Sequence, residues 1–272
     1  MDLIAATAPT HPLTAAALGL LAAMALALPS WAVSVARRDA SLADRVWSAF
    51  IALPGLVYAA LLGTNLRQGL MLGITVAWAL RLGVYITLRN WGHGEDRRYA
   101  DMRARNEPGF ALKSLWLVFL LQAALGWVVS WPLLLASGNS TAPWRLADSL
   151  GALLAVAGLL METVADAQLW RFRRGASQGQ VLSTGLWRYS RHPNYFGECC
   201  LWWGLGIMAV SAGGWAAALA LASPLLMTVL LLRVSGVTLL ERDIGGRRPA
   251  YRDYVARTSA FIPWPPRQGV ER

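Results

Sequence analysis

The chain of 272 residues is 56% hydrophobic and only 15% charged, and it contains 14 tryptophans. This composition is too apolar for a soluble domain of that length and is typical of a polytopic membrane protein. The net charge of +10 could suit nucleic acid, but the arginines cluster in alternate loops rather than along one face. We therefore expect no nucleic-acid partner, and we expect membrane lipids and an anionic cofactor instead.

Seven hydrophobic segments are long enough for a helix to cross the hydrocarbon core of a bilayer, which takes about 20 residues. They run approximately over residues 13–35, 46–63, 69–88, 114–136, 146–170, 196–212 and 215–240. No Lys or Arg precedes the first segment, which disfavours a cleaved signal peptide. The sequence therefore predicts an all-α polytopic membrane protein with seven transmembrane helices, in a single domain over residues 1–272.

Basic residues in the loops between these segments predict the orientation of the chain. The loops after the first, third and fifth segments are rich in arginine, whereas the loops on the opposite side carry only Arg67 and Arg145. The positive-inside rule then places the N-terminus outside and the C-terminus in the cytoplasm. We expect the inner (cytoplasmic) membrane of a bacterium, and we favour a monomer although the sequence does not define the oligomeric state.

Ionisable side chains within the predicted helices are costly to bury in a bilayer and therefore mark candidate functional residues. We single out Arg81, Glu162, Asp166, Glu198 and Arg233. Glu162 and Asp166 share one helical face with Arg173, because they lie at i, i+4 and i+11. These side chains could simply pair to tie helices together, but we favour a polar cavity that opens to the cytoplasm.

A polar stretch, residues 182–198, separates two of the predicted helices. Pro193 fixes a turn there, so that Asn194 and Glu198 lie at i and i+4 at the start of the sixth helix. The N–H groups of a helix start and nearby guanidinium groups suit phosphate oxygens. The arginines around this stretch are Arg171, Arg173, Arg174, Arg188 and Arg191. Together these features predict a large phosphorylated cofactor.

Two further features have both a structural and a functional interpretation. His192 could donate a proton in catalysis, but a lone histidine beside a proline is more often a structural hydrogen-bonding residue. The loop over residues 90–113 mixes acids and bases, which favours a solvated, salt-bridged helix over a lid on a cytoplasmic ligand site.

Three small-residue patterns do not indicate a site. The run Gly204-Leu-Gly206-Ile-Met-Ala209 matches G-x-G-x-x-A, but it lies in a hydrophobic helix with no preceding strand. Gly69 and Gly73 form a G-x-x-x-G pattern that favours close helix packing. Cys199 and Cys200 are interpreted as small buried residues without metal-site spacing, and we expect no metal site.

Six short motifs follow one another from the third segment to the C-terminal tail. They are Arg81-Leu-Gly-Val-Tyr85, Gly94-Glu-Asp-Arg-Arg-Tyr99, Glu162 to Gln168, Gly185 to Glu198, Ser235-Gly-Val-Thr-Leu-Leu-Glu241 and Tyr251-Arg-Asp-Tyr254. With this succession the chain resembles the bacterial DUF1295 branch of the steroid 5α-reductase family, over about residues 39–266. The resemblance is most specific between Gly185 and Glu198.

The resemblance implies a seven-helix membrane oxidoreductase. Members of that family bind NADPH from the cytoplasmic side and pass hydride to a carbon–carbon double bond conjugated to a carbonyl. The positions similar to the family's cofactor pocket are Asp166, Arg173, Tyr189, Asn194, Glu198 and Arg233. Arg191 and His192 of the same turn are added as cofactor-binding candidates.

The substrate side of the family pattern differs in this chain. Steroid reductases hold the keto oxygen of the substrate with a Gln–Glu pair on the second helix and a tyrosine one turn before the third-helix arginine. Here the second helix offers only Asp44, and the residue three positions before Arg81 is Trp78. We therefore expect a lipophilic enone, steroid-like or another unsaturated lipid. Arg81, Tyr85 and Asp44 are the catalytic candidates for stabilising the developing enolate.

Two other functions remain open. An Arg-His-Pro-x-Tyr turn followed by a glutamate also occurs in isoprenylcysteine carboxyl methyltransferases, which bind S-adenosylmethionine. The many arginines favour the reductase over this alternative, because S-adenosylmethionine is cationic and carries no phosphate. The other alternative is a non-catalytic lipid-binding membrane protein, which would leave the clustered ionisable residues without a task.

Overall fold

The computed structural model describes residues 11–137, 142–175, 180–213, 217–234, 236–237, 241 and 250–267. Within these ranges the chain is helical, and the extended pairing found there is an isolated parallel bridge between Ser190 and Ser259. The chain groups into two compact units. One comprises residues 1–144 and 212–220, and the other comprises residues 145–211 and 221–272.

Six described helical stretches are long and apolar enough to cross a membrane: Pro12–Arg37, Leu42–Leu62, Leu66–Arg89, Phe110–Leu135, Leu146–Gly175 and Ala217–Val234. The chain is therefore an integral membrane protein. The remaining predicted segment, residues 196–212, forms the helix Pro193–Ser211, but its first turns are polar and most of its residues are buried. Its crossing of the membrane and the orientation of the termini stay predictions. The predicted ends of the last segment, Trp215 and Leu240, lie outside the described residues.

The helices of the first unit are α1 (Pro12–Arg37), α2 (Leu42–Val46), α3 (Ala49–Leu62), α4 (Leu66–Arg89), α5 (Arg97–Asn106), α6 (Phe110–Ser114), α7 (Leu121–Val129) and α8 (Trp131–Leu135). Local signals explain some of the boundaries. Helix α4 begins after Asn65, whose Oδ1 accepts a hydrogen bond of 2.8 Å from Gln68 N and so caps the helix. Helix α3 ends at Gly63, where a φ of 74° favours glycine.

Small residues let the helices of the first unit approach one another closely. A Cβ atom at Gly19 of α1 would lie 2.5 Å from the ring of Tyr58 on α3, and one at Gly126 of α7 would lie 2.8 Å from Phe50. The hydroxyls of Tyr58 and Ser130 are also 3.0 Å apart and share a hydrogen bond. These contacts exclude solvent from Phe50 and Tyr58 and form a core between α1, α3 and α7.

The predicted packing role of Gly69 and Gly73 is wrong. A Cβ atom at either position would meet no described atom within 4 Å. The i, i+4 spacing does place both glycines on one side of α4, but that side faces open space in the described part of the chain. Spacing alone does not tell which face of a helix a neighbour covers.

The second unit contains α9 (Leu146–Gly175), a 3-10 helix (Gly185–Arg188), α10 (Pro193–Ser211), α11 (Ala222–Val229), a π-helical stretch (Leu230–Val234) and α12 (Ala250–Arg257). Helices α9 and α10 pack closely through glycines. A Cβ atom at Gly151 would lie 2.7 Å from the carbonyl oxygen of Gly204, and one at Gly197 would lie 2.7 Å from that of Gly158. Gly204, which begins the G-x-G-x-x-A match, is therefore a helix-packing residue.

Candidate cofactor site

An asparagine of α10 and an aspartate of α9 form the centre of the candidate site. Asn194 Nδ2 donates a hydrogen bond of 3.0 Å to Oδ1 of Asp166. Close helix packing brings the two residues together, because the backbone of Gly197 on α10 lies against that of Glu162 on α9. Asn194 Oδ1 is buried and has no hydrogen-bond partner in the described part of the chain. Asn194 Oδ1 is therefore an acceptor whose hydrogen-bonding capacity the described residues do not use.

Helices α9 and α10 carry three buried carboxylates, one of which is Asp166 of this pair. Glu162, Asp166 and Glu198 are 2%, 4% and 5% exposed. Each needs a hydrogen bond, a countercharge or a proton, because removing an isolated charge from water is costly. Both acids predicted on one face of α9 thus point into the interior of the second unit. The described residues contain no group of three His, Cys, Asp or Glu side chains that could hold a metal ion.

The 3-10 helix before α10 is fastened to α9 beside these acids. Leu186 N donates a hydrogen bond of 3.0 Å to Oε1 of Gln168, and the indole Nε1 of Trp187 donates one of 3.0 Å to the carbonyl oxygen of Ala165. A Cβ atom at Gly185 would lie 2.7 Å from the Gln168 amide. The residues that lead into the turn at Pro193 therefore contact the part of α9 that carries Asp166.

The C-terminal segment, residues 250–267, holds the other side of this turn. The Tyr254 hydroxyl donates a hydrogen bond of 2.5 Å to the carbonyl oxygen of Trp187. Ser190 Oγ donates one of 2.7 Å to the carbonyl oxygen of Phe261. The backbone adds two pairs, Trp264 N to Tyr189 O at 2.9 Å and Arg191 N to Ser259 O at 2.8 Å. Hydrogen bonds therefore hold the turn to α9 on one side and to the C-terminal segment on the other.

Arg191, predicted as a cofactor ligand, is engaged by the protein itself. Its Nε and Nη2 each donate a hydrogen bond of 2.7 Å to a carboxylate oxygen of Glu241. Its Nη1 donates to the carbonyl oxygens of Thr258 at 2.6 Å and Val255 at 3.1 Å. Its side chain is only 9% exposed. Arg191 therefore binds groups of the protein itself, and we call Arg191, Glu241 and the residues that they bind the clamp. A contact of Arg191 with a cofactor stays a prediction.

Glu241 joins His192 to the same clamp. His192 Nε2 lies 2.9 Å from Oε1 of Glu241, and the imidazole ring stacks on Tyr195 with 5.5 Å between ring centres. Burial alone would raise the pKa of Glu241, but hydrogen bonds from His192 and Arg191 outweigh it and lower the pKa to about 2. His192 thus has the surroundings of a structural hydrogen-bonding residue.

The remaining cofactor candidates present their side chains outward, with the exception of the buried Glu198. Tyr189 is 42% exposed, and both Arg173 near the end of α9 and Arg233 in the π-helical stretch are exposed. Three further arginines share this exposure: Arg171, Arg174 and Arg188. The second unit therefore has guanidinium groups at its surface, at the end of α9 and on the turn.

Two of the catalytic candidates, Arg81 and Tyr85, lie one turn apart on α4 in the first unit. Both are half-buried. The guanidinium carbon of Arg89 lies 5.7 Å from the ring centre of Tyr85, a cation–π contact. Gly83, between the two candidates, faces the junction of α2 and α3, where a Cβ atom would lie 3.5 Å from Ser48 Oγ and 3.6 Å from the Arg45 carbonyl oxygen. The catalytic role of Arg81 and Tyr85 stays a prediction.

The third catalytic candidate, Asp44, is held by α5. Its Oδ1 accepts a hydrogen bond of 2.5 Å from the Tyr99 hydroxyl, and its Oδ2 accepts one of 2.8 Å from Arg98 Nη2. Gln122 of α7 donates from Nε2 to the Tyr99 oxygen at 3.1 Å. Burial, together with the charge of Asp44, raises the pKa of Tyr99 well above its ordinary value and keeps the phenol protonated. Asp44 is therefore part of a packed polar network.

The loop around α5 is the salt-bridged helix that the mixed charges predict. Arg103 pairs with Glu95 at 2.7 Å, and Arg98 pairs with Asp96 at 2.9 Å. Burial opposes ionisation of Glu95, but the hydrogen bonds from Arg103 and from Ala40 N, together with the charge of Arg103, outweigh burial and lower the pKa of this carboxyl group. These ion pairs lie within the loop, and Ala40 N, which donates a hydrogen bond of 2.8 Å to Glu95 Oε1, connects the loop to the residues between α1 and α2.

Sequence reasoning did not assign Glu241 or Tyr254 to the site. Both lie in motifs that carry the family resemblance, and that was the available signal. Their partners in the turn are 50 and 67 residues away along the chain, a separation at which hydrophobic periodicity carries no information.

A protein-family model matches most of the chain. The family is described as "Protein of unknown function (DUF1295)", and the match covers residues 30–258. No curated protein sequence matches the chain. The matched region includes α9, the turn, α10 and Glu241, so the whole candidate site lies within it.

Proposed function

The chain belongs to the DUF1295 family, and on that premise we propose that it is an NADPH-dependent membrane oxidoreductase. Its reaction is the reduction of a carbon–carbon double bond in a lipophilic enone, steroid-like or another unsaturated lipid. The observation that carries this proposal is the pair of Asn194 and Asp166, joined at 3.0 Å beside an Asn194 oxygen that lacks a partner among the described residues.

A nicotinamide carboxamide fits the donors and acceptors of this pair. The ligand amide offers two N–H donors and one carbonyl acceptor, and Asn194 Oδ1 can accept one of those N–H groups. Leaving a buried polar group without a partner costs about 1–3 kcal/mol. A ligand that supplies the missing hydrogen bond is therefore bound more tightly than one that does not. We assign the orientation of the nicotinamide to Asn194 and Asp166.

The diphosphate and the ribose phosphate suit the exposed arginines of the second unit. The guanidinium groups of Arg173 and its neighbours at the end of α9 are exposed, and guanidinium groups bind phosphate oxygens in a bidentate manner. Arg191 is less suited to this task, because Glu241 and two backbone carbonyls already engage its guanidinium group. We assign phosphate binding to Arg173 because its side chain is exposed at the end of α9.

The bound cofactor would supply hydride to the β-carbon of the enone, with a proton then added at the α-carbon. The chain's own residues orient the cofactor, exclude water and stabilise charge on the carbonyl oxygen. Arg81 and Tyr85 are the residues that we propose for that stabilisation. Asp44 is a further candidate, and its two oxygens accept hydrogen bonds from Tyr99 and Arg98.

A ligand titration of the detergent-purified protein tests the proposal. Thermal unfolding is followed with NADPH, NADH and S-adenosylmethionine in parallel, since a ligand that binds the folded state raises the melting temperature. We expect NADPH to stabilise the protein. Stabilisation by S-adenosylmethionine alone would overturn the reductase in favour of the methyltransferase. No stabilisation by any of the three would favour the non-catalytic lipid-binding protein.

Two asparagine-to-alanine variants, compared with each other, test the site. We expect Asn194→Ala to weaken NADPH binding about tenfold, the equivalent of one hydrogen bond of roughly 1.4 kcal/mol. Asn90→Ala, in the first unit, serves as the matched control and should leave NADPH affinity unchanged. Equal affinity in both variants would show that the nicotinamide does not bind at Asn194.

A further inference from the structure

Glu241 is the point at which the turn, α10 and the C-terminal segment are joined. Its two carboxylate oxygens accept hydrogen bonds of 2.7 Å from Arg191 and one of 2.9 Å from His192. The same guanidinium group continues to the carbonyl oxygens of Thr258 and Val255. One carboxylate therefore neutralises the cation that spans from the start of α10 to α12.

The residues that Glu241 holds, Arg191 and His192, lie three and two positions before Asn194. His192 accepts the first helical hydrogen bond of α10, from Phe196 N at 3.1 Å, and its own N–H donates to Ser190 Oγ at 3.1 Å. Both Arg191 and His192 are at least nine-tenths buried. Glu241 fixes the backbone of the turn from one side, and α9 fixes it from the other. This backbone therefore sets the direction in which Asn194 leaves the turn.

We infer that Glu241 is a positioning residue for cofactor binding. It holds Arg191 and His192 in place, and through them it aligns Asn194 with Asp166 to receive the nicotinamide carboxamide. The positioning of the cofactor rests on the proposed function, whereas the fixing of the turn does not. Neutralising Glu241 would leave the buried guanidinium group of Arg191 without its countercharge, so the turn would relax.

A double-mutant cycle tests whether Glu241 acts through Asn194. We expect Glu241→Gln to weaken NADPH binding about tenfold in the wild-type background and to have almost no further effect in the Asn194→Ala background. Glu241→Asp, which keeps the charge, should recover part of the affinity. Asp253→Asn on α12 is the matched control, because Asp253 is an exposed acid of the same segment, and it should leave NADPH affinity unchanged. Independent, multiplicative losses in the double variant would overturn the coupling.

Hydrogen exchange separates this inference from the proposed function. Without any nucleotide, Glu241→Gln should increase amide exchange at residues 187–196 and 250–267, whereas Asp253→Asn should not. Tyr254→Phe, which removes the hydroxyl that contacts the Trp187 carbonyl, provides a second variant should Glu241→Gln fail to fold, and it should loosen the same residues. Unchanged exchange in the turn would overturn the clamp even if NADPH binds. Faster exchange in a protein that binds no nucleotide would uphold the clamp and overturn the proposed function.

Discussion

The Tyr99 hydroxyl donates a hydrogen bond of 2.5 Å to Oδ1 of Asp44, across 55 residues of sequence. Asp44 was a catalytic candidate because it is the acidic residue near the start of the second hydrophobic segment. The hydrogen bond gives Asp44 a structural role, since it joins α5 to α2 through this carboxylate, and its catalytic role stays a prediction.

Replacing Tyr99 with phenylalanine should therefore destabilise the first unit. The change removes the donor to Asp44 and leaves Gln122 Nε2 without its acceptor, for an expected loss of about 1–3 kcal/mol. Thermal unfolding without ligand measures the loss. Tyr189→Phe is the matched control, because Tyr189 is 42% exposed, and it should unfold at the wild-type temperature. Equal melting temperatures for both variants would contradict the importance of the network.

Glycine-to-alanine changes should have opposite effects on α9 and α4. At Gly158 the added methyl group would meet Leu201 N at 2.6 Å, and forcing α9 and α10 apart should cost about 1–3 kcal/mol. At Gly73 the methyl group meets no described atom within 4 Å. Alanine there should be neutral or should stabilise α4 by up to about 1 kcal/mol. A lower melting temperature for Gly73→Ala would indicate that a neighbour covers this side of α4.

Arg173→Ala should weaken NADPH binding and make it less sensitive to salt. A charge-assisted hydrogen bond to phosphate is worth about 1.5–3 kcal/mol, which corresponds to roughly a ten- to hundredfold loss of affinity. The affinity should be measured at several salt concentrations, because screening weakens exposed charge pairs. Arg105→Ala, an exposed arginine of α5, should change neither quantity. An Arg173→Ala variant with wild-type affinity would remove this residue from the phosphate site.

The clamp should give the second unit a defined pH range of stability. The pKa of Glu241 is lowered from 4.5 to about 2, so its contribution is present above pH 4.5 and is lost as the pH falls toward 2. Burial, with the Glu241 charge as a further cause, raises the pKa of Tyr251 from 10 to about 12, so the contribution of its neutral phenol is lost as the pH rises through that interval. Thermal unfolding across this range measures both limits. Glu241→Gln removes this titration, so the loss of stability on the acid side should disappear, and the variant should be less stable than the wild type at neutral pH.

The hydrophobic segments of this chain were predictable because membrane-spanning length and apolar composition are local properties. Helix α10 was located by the same reasoning, but its polar start, with Asn194 and Glu198, separates it from the six long apolar stretches. The close approach of α9 and α10 was less visible, since it combines Gly158 and Gly197 from different helices. A pattern within one helix, such as Gly69 and Gly73, cannot reveal such a pairing.

The candidate site was predictable in its local part. The i, i+4 relation of Glu162 and Asp166 correctly placed both acids on a buried face, and the proline turn correctly placed Asn194 at a helix start. The engagement of Arg191 was not predictable, because an arginine beside a turn suits a phosphate and a distant carboxylate equally well. Only the fold brings Glu241 within 2.7 Å of it.

The hydrogen bonds between residues 187–191 and the C-terminal segment also bear on the order of assembly. The ribosome releases residues 250–267 after the helices that precede them. During synthesis the turn before α10 is therefore present before its partners in the C-terminal segment. The candidate cofactor site would then be complete only when the C-terminal segment binds the turn, as a final step after membrane insertion. A nascent chain that stalls before Tyr254 would carry the arginines and Asn194 but lack the backbone alignment on which they depend.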